Sequence, residues 1–103
     1  MSREDVNSLM KNLSETYADP EIKEDEYLSK LILRSAQVLE ETRDINMIAD
    51  TLCVYILNYN FVINGAKNKI PQAANDLYHK CSHIKGYYNV SKSNAYFRDL
   101  RIL

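Results

Sequence analysis

Residues 18–40 read "ADPEIKEDEYLSKLILRSAQVLE", and this stretch decides the fold. Asp19 is a residue type that caps a helix, and Pro20 suits the first helical position because it has no N–H to leave unpaired. Glu21, Glu24, Asp25 and Glu26 follow at the end of the helix where the backbone dipole is positive. The apolar residues then fall at helical spacing: Leu28, Leu31, Ile32, Ser35, Val38 and Leu39 form one stripe, which Tyr27 and Leu33 widen. A strand would require alternation, and none is present. The stretch predicts a long helix with one face turned to a core.

The same period extends in both directions. Upstream, Val6, Leu9, Met10, Leu13 and Tyr17 repeat at three and four, with Ser2 and Asp5 placed for a capping box. Downstream, "ETRD" breaks the pattern and Asp44 can cap a third helix carrying Ile45, Ile48, Ala49, Leu52, Ile56, Tyr59 and Ile63. Met47, Val54, Leu57 and Phe61 lie on its other sides, so it is expected to be the most buried helix. Gly65 can close it in the left-handed position, and Pro71 can open a fourth helix with Ile70, Ala73, Ala74, Leu77, Tyr78, Cys81 and Ile84. Gly86 is expected to end that one. Four amphipathic helices on short connections predict an all-α, antiparallel up-down four-helix bundle over residues 1–86, with neighbours crossing near ~20°. Residues 87–103 remain as an aromatic and basic C-terminal tail. The core can close by Ile84, so the tail is not expected to be needed to finish the fold, though it can lie against it.

Chain length supports one domain, and only two glycines and two prolines argue for long elements over a sandwich or barrel. Charge is unevenly placed. Up to Asn64, six bases against twelve acids leave −6; from Gly65 on, seven bases against two acids leave +5. Such a polarised molecule can turn its basic end toward anionic lipid or an acidic protein face. Cys53 and Cys81 lie on or beside apolar stripes and read as buried, reduced thiols, the state kept in the cytosol. The N-terminal residues lack the apolar stretch of a secretory signal, and "CVYILNYNFVI" is too short and too broken by Asn58 and Asn60 to span a bilayer, so a cytoplasmic protein is expected.

Chemistry finds little support. Asp76, His79 and His83 share a helix face at spacings that could bind zinc, but no Glu lies between the histidines and they sit opposite the apolar stripe; an ordinary polar face is the better reading. Both thiols look too buried to be nucleophiles, and there is no glycine-rich phosphate loop. No enzyme activity, cofactor or small-molecule substrate is expected. Nucleic acid is disfavoured because the basic residues are spread thinly and the helices are long for a helix-turn-helix reader.

Within "NLSETYADPEIKEDEYLSKLILRSAQVLE", residues 12–40, Leu13, Tyr17, Asp19-Pro20 and Leu28-Ser29-Lys30-Leu31 resemble the immunity proteins of pediocin-like (class IIa) bacteriocins, in the enterocin A/carnobacteriocin B2 immunity group. "IPQAANDLY", residues 70–78, adds Ile70-Pro71 and Leu77-Tyr78. The resemblance implies a cytoplasmic helical bundle that protects a bacterium from a pore-forming peptide. It also implies a partner: the bacteriocin-loaded membrane subunits of the mannose phosphotransferase system, met from the inner face of the membrane, with possible peripheral membrane contact. The family's discriminating region is its C-terminal half. Partner-binding residues are therefore expected at Tyr87, Tyr88, Tyr96, Phe97, Arg98 and Arg101, with Lys67 and Lys69 on the loop nearby, since Tyr, Phe and Arg are enriched at interface hot spots. Tyr88 also continues the fourth stripe and could instead seal the end of the bundle. The other functional reading is a non-enzymatic helical adaptor that binds a different protein through the same end.

Overall fold

The computed structural model describes residues 3–65, 70–84 and 90–102, and every regular element among them is helical. Helix α1 spans Arg3–Ala18 and is followed by the five-residue α2, Pro20–Glu24. The Asp19 carboxylate accepts from the Glu21 N–H at 2.9 Å, so the cap and the proline act as their positions suggest. One long helix from Pro20 was the expectation, and here the structure differs. Asp25 takes an extended conformation and its Oδ1 accepts from the Leu28 N–H at 2.9 Å, starting a new helix, α3, over Glu26–Thr42. An aspartate offers the backbone a competing partner, and at this position the competition wins. The break lets α2 bury Ile22 completely while α3 presents Leu28, Leu31, Ile32, Ser35, Val38 and Leu39 inward, the expected stripe.

Arg43 ends α3 in the left-handed region, and Asp44 caps α4, Ile45–Asn58, by accepting from the Met47 N–H at 3.0 Å. From Tyr59 to Ile63 the helix widens into a π-turn, closed by the Asn64 N–H on the Tyr59 carbonyl at 3.0 Å. Gly65 follows at φ 64°, the left-handed position foreseen for it. Helix α5 covers Gln72–Ser82, its first turn bonded to the Pro71 carbonyl. Gly86 and the boundary expected after it lie outside the described residues. Helix α6, Val90–Phe97, and a single 3₁₀ turn, Arg98–Leu100, complete the order.

The four longer helices pack around one core: α1 lies against α3 and α5, and α4 against α3 and α5. Helix α6 seats on α4. The core cluster runs from Val6 through Leu52, Tyr55 and Leu77 to Phe97 and Leu100. Those last two residues place the C-terminal segment against the bundle, with two of its side chains in the core. Phe97 is 0% exposed, meets the Tyr55 ring edge-on at 6.0 Å between centroids, and completes the cover over α4. Phe97→Ala should therefore cost about 3–5 kcal/mol, as large-to-small core changes do. Arg98→Ala, at an exposed side chain, should stay within ~0.5 kcal/mol of the parent. Urea unfolding of both variants measures the contrast; equal midpoints would place the Phe97 ring outside the core.

Candidate functional site

The C-terminal segment is fastened to the body by side chains distant in sequence. The Arg34 guanidinium on α3 donates to both Asp99 oxygens, at 2.7 and 2.9 Å, and to the Tyr96 carbonyl at 2.7 Å. This fork geometry is available to arginine and not to lysine. The hydrogen bond from Arg34 holds the Asp99 carboxyl below its usual range. Tyr27 on α3 donates its hydroxyl to the Leu100 carbonyl at 2.7 Å. Lys92 pairs with Asp44 at the start of α4, and the buried Ser93 and Thr51 hydroxyls meet at 2.9 Å.

Beside this fastening lies a tyrosine pair. Tyr27 and Tyr59 stack at 5.7 Å between centroids with a 14° interplanar angle. Tyr59 donates to Asp25 Oδ2, so Asp25 caps α3 with one oxygen and holds the start of the π-turn with the other. Burial, with the hydrogen bond to Asp25 and its negative charge, pushes the Tyr59 hydroxyl up to about 12. Burial, then the nearby Tyr55, also raises Tyr27. A cavity of about 530 Å³ opens on this end between Asp25, Tyr27, Lys30, Ile63, Arg101 and Ile102.

Of the expected partner-binding residues, Arg98 and Arg101 are exposed, Tyr96 is half-buried and Phe97 is buried. Tyr87, Tyr88, Lys67 and Lys69 lie outside the described residues. The Phe97 ring is therefore closed off from any partner while the segment is docked. Sequence reasoning overlooked an exposed apolar run on the π-turn, where Phe61 is 64% and Ile63 53% exposed, with Val62 between them. The signal was present in Asn58 and Asn60, which interrupt the apolar run where the helix changes its winding.

Asp76, His79 and His83 are all exposed on α5, and among the described residues no group of three or more His, Cys, Asp or Glu side chains is placed to hold a metal ion. Cys53 and Cys81 are unbridged; burial, with smaller contributions from Cys53 and Asp50, pushes Cys81 up to about 12, leaving it a thiol at neutral pH. The exposed Arg101 and Ile63 side chains line this cavity together, and Arg98, Phe61 and Val62 are exposed on the segments that carry them.

The sequence profile of the Bacteriocin immunity protein family matches residues 4–85. The chain belongs to this family, and the membership supports an immunity role. Both segments that carry the resemblance, 12–40 and 70–78, fall inside the match. No curated protein and no solved structure gives a significant match. Among the described residues, no helix is long and apolar enough to cross a membrane.

The tyrosine pair yields a pH dependence. Tyr59 has a folded-state value of about 12 against an ordinary 10.0. A group raised on folding contributes stability that is fully present below its unfolded value and lost as pH rises through the folded one. Stability should thus fall between pH 10 and 12, and Tyr59→Phe should make that fall shallower. Urea midpoints across this range measure it; identical slopes in parent and variant would mean that Tyr59 is not buried against Asp25.

Proposed function

We propose that this protein is an intracellular immunity protein that protects its cell from a pore-forming class IIa bacteriocin. The observation that carries the reading is the family match across residues 4–85 of a 103-residue chain. In this reading the body is an antiparallel four-helix bundle built from α1, α3, α4 and α5. The partner is the bacteriocin-loaded mannose phosphotransferase receptor, engaged from the cytoplasmic side. No reaction is catalysed. Protection follows from binding: a protein with higher affinity for the non-leaking form of the complex shifts the population toward it by that difference in affinity.

The end face suits such a partner. Arg98 and Arg101 are exposed on the C-terminal segment, and arginine forms bidentate bonds with carboxylates or lipid phosphates. Phe61, Val62 and Ile63 add exposed apolar surface of the kind that marks an interaction site. Helix α5 is not expected to contribute chemistry, because its histidines are solvated and its thiol is buried.

The test is protection of a sensitive bacterium expressing the chain, challenged with a panel of pediocin-like bacteriocins. Cutting the chain after Gly86 would also strip Phe97 and Leu100 from the core, so surface variants are the cleaner probe. The parent chain should confer resistance to at least one peptide. Arg98→Glu with Arg101→Glu should lose it while keeping the parent's melting temperature. A well-expressed parent that protects against no member of the panel would overturn the immunity reading. Full protection by the charge-reversed variant would move the contact away from the C-terminal end.

A further inference from the structure

Three successive apolar side chains, Phe61, Val62 and Ile63, stand in solvent on the π-turn beyond α4, and even the least exposed of them, Val62, is 48% open. Successive residues of a helix are rotated by about 100°, somewhat less where the turn is wide, so these three fan out through roughly half a circle. A partner helix or groove covers a stripe of residues three and four apart, and it reaches only one or two members of such a fan. A fluid apolar phase can close around all three. Polar groups of the turn are also turned on one another. The Asn64 side-chain amide donates to Asn60 Oδ1 at 2.9 Å, and the Asn64 N–H bonds the Tyr59 carbonyl. Groups satisfied in this way lose little when water is withdrawn.

Ile63 also lines the cavity of about 530 Å³, where Ile102 adds a second apolar side chain. The carboxylates on that rim have their partners within the fold. Asp25 caps α3 and receives the Tyr59 hydroxyl, Glu26 pairs with Lys30 at 3.2 Å, and Asp99 pairs with Arg34. Arg101 differs: it is exposed, and its guanidinium has no carboxylate partner among the described residues. What this rim has left to offer a ligand is therefore a cation beside apolar surface.

We propose that the π-turn is a peripheral membrane anchor, in which Phe61, Val62 and Ile63 enter an anionic phospholipid layer and Arg101 holds a lipid phosphate at the mouth of the cavity. Insertion of this kind reaches the level where headgroups meet acyl chains and needs no spanning helix. The guanidinium fork suits a phosphate, which it can bind through two parallel hydrogen bonds. The assignment stands apart from the immunity reading, because pure lipid contains neither bacteriocin nor receptor and the two tests fail separately.

The chain has no tryptophan, so Phe61→Trp in the full chain places a single indole on the turn, at a side chain outside the core. With phosphatidylglycerol vesicles its emission should shift to the blue and be quenched by lipids brominated along the acyl chain. The parent chain should sediment with the same vesicles. Phe61→Ser with Ile63→Ser should weaken that binding at least about tenfold while keeping the parent's melting temperature. Arg101→Gln should weaken it about fivefold and leave binding to phosphatidylcholine vesicles unchanged. Val90→Ser, at a comparably exposed apolar side chain on α6, should change neither. No binding to phosphatidylglycerol would overturn the proposal and leave the three side chains to a protein surface. Binding without quenching by the brominated lipids would mean adsorption by charge alone and would overturn the insertion. Undiminished binding by Arg101→Gln would remove the phosphate contact, and an equal loss with Val90→Ser would remove the π-turn as the site.

Discussion

A fourteen-residue helix that is apolar around most of its circumference cannot be covered by two neighbours, and α4 imposes that requirement on the whole chain. Ile45, Met47, Ile48, Ala49, Leu52, Tyr55 and Ile56 are all buried, and they face α1, α3, α5 and α6 in turn. Removing such surface from water is worth about 25 cal/mol per Å², so leaving one side of α4 open would forfeit several side chains' worth of stabilisation. Helices α3 and α5 flank it directly. Phe97 and Leu100 complete the cover, which is why two side chains from beyond the family span belong to the core.

The cost of that last contact is polar. The helix that closes over α4 meets Thr51 and Tyr55, each carrying a hydroxyl group that takes a partner. Ser93 satisfies Thr51, and the Tyr55 hydroxyl reaches the Phe97 carbonyl at 3.4 Å. Arg34 compensates from the α3 side, tying down the Asp99 side chain and the Tyr96 carbonyl together. The segment is thus positioned by directional bonds and stabilised by the buried Phe97 and Leu100 with the half-buried Tyr96 and Ile102, a combination that fixes one register.

Much of this was legible in the sequence. The stripes of α1, α3 and α5, the caps at Asp19 and Asp44, and the left-handed Gly65 follow from spacing and residue type alone. What escaped was decided by tertiary competition. Asp25 was read as one acid among several near a helix start; its second oxygen is claimed by Tyr59, thirty-four residues away, and no local rule contains that bond. Ile63 was placed on the core face by continuing a 3.6-residue period through Tyr59, but the π-turn holds more residues per turn and carries Ile63 outward. Phe97 was assigned to a partner because it lies in the C-terminal tail and phenylalanine is a type enriched at interface hot spots. The residue that buries it, Tyr55, sits forty-two positions upstream.

The π-turn has a consequence for how such a chain can change over generations. One residue added to or removed from an α-helix rotates everything beyond it by about 100°. Placed after Tyr59, the last buried position of this stretch, such a length change leaves Leu52, Tyr55, Ile56 and Tyr59 where they are and re-aims Phe61, Val62 and Ile63. The wide turn therefore works as a swivel between the buried interior and an exposed apolar face. Single-codon insertions or deletions there would alter what the molecule touches without asking the core to repack.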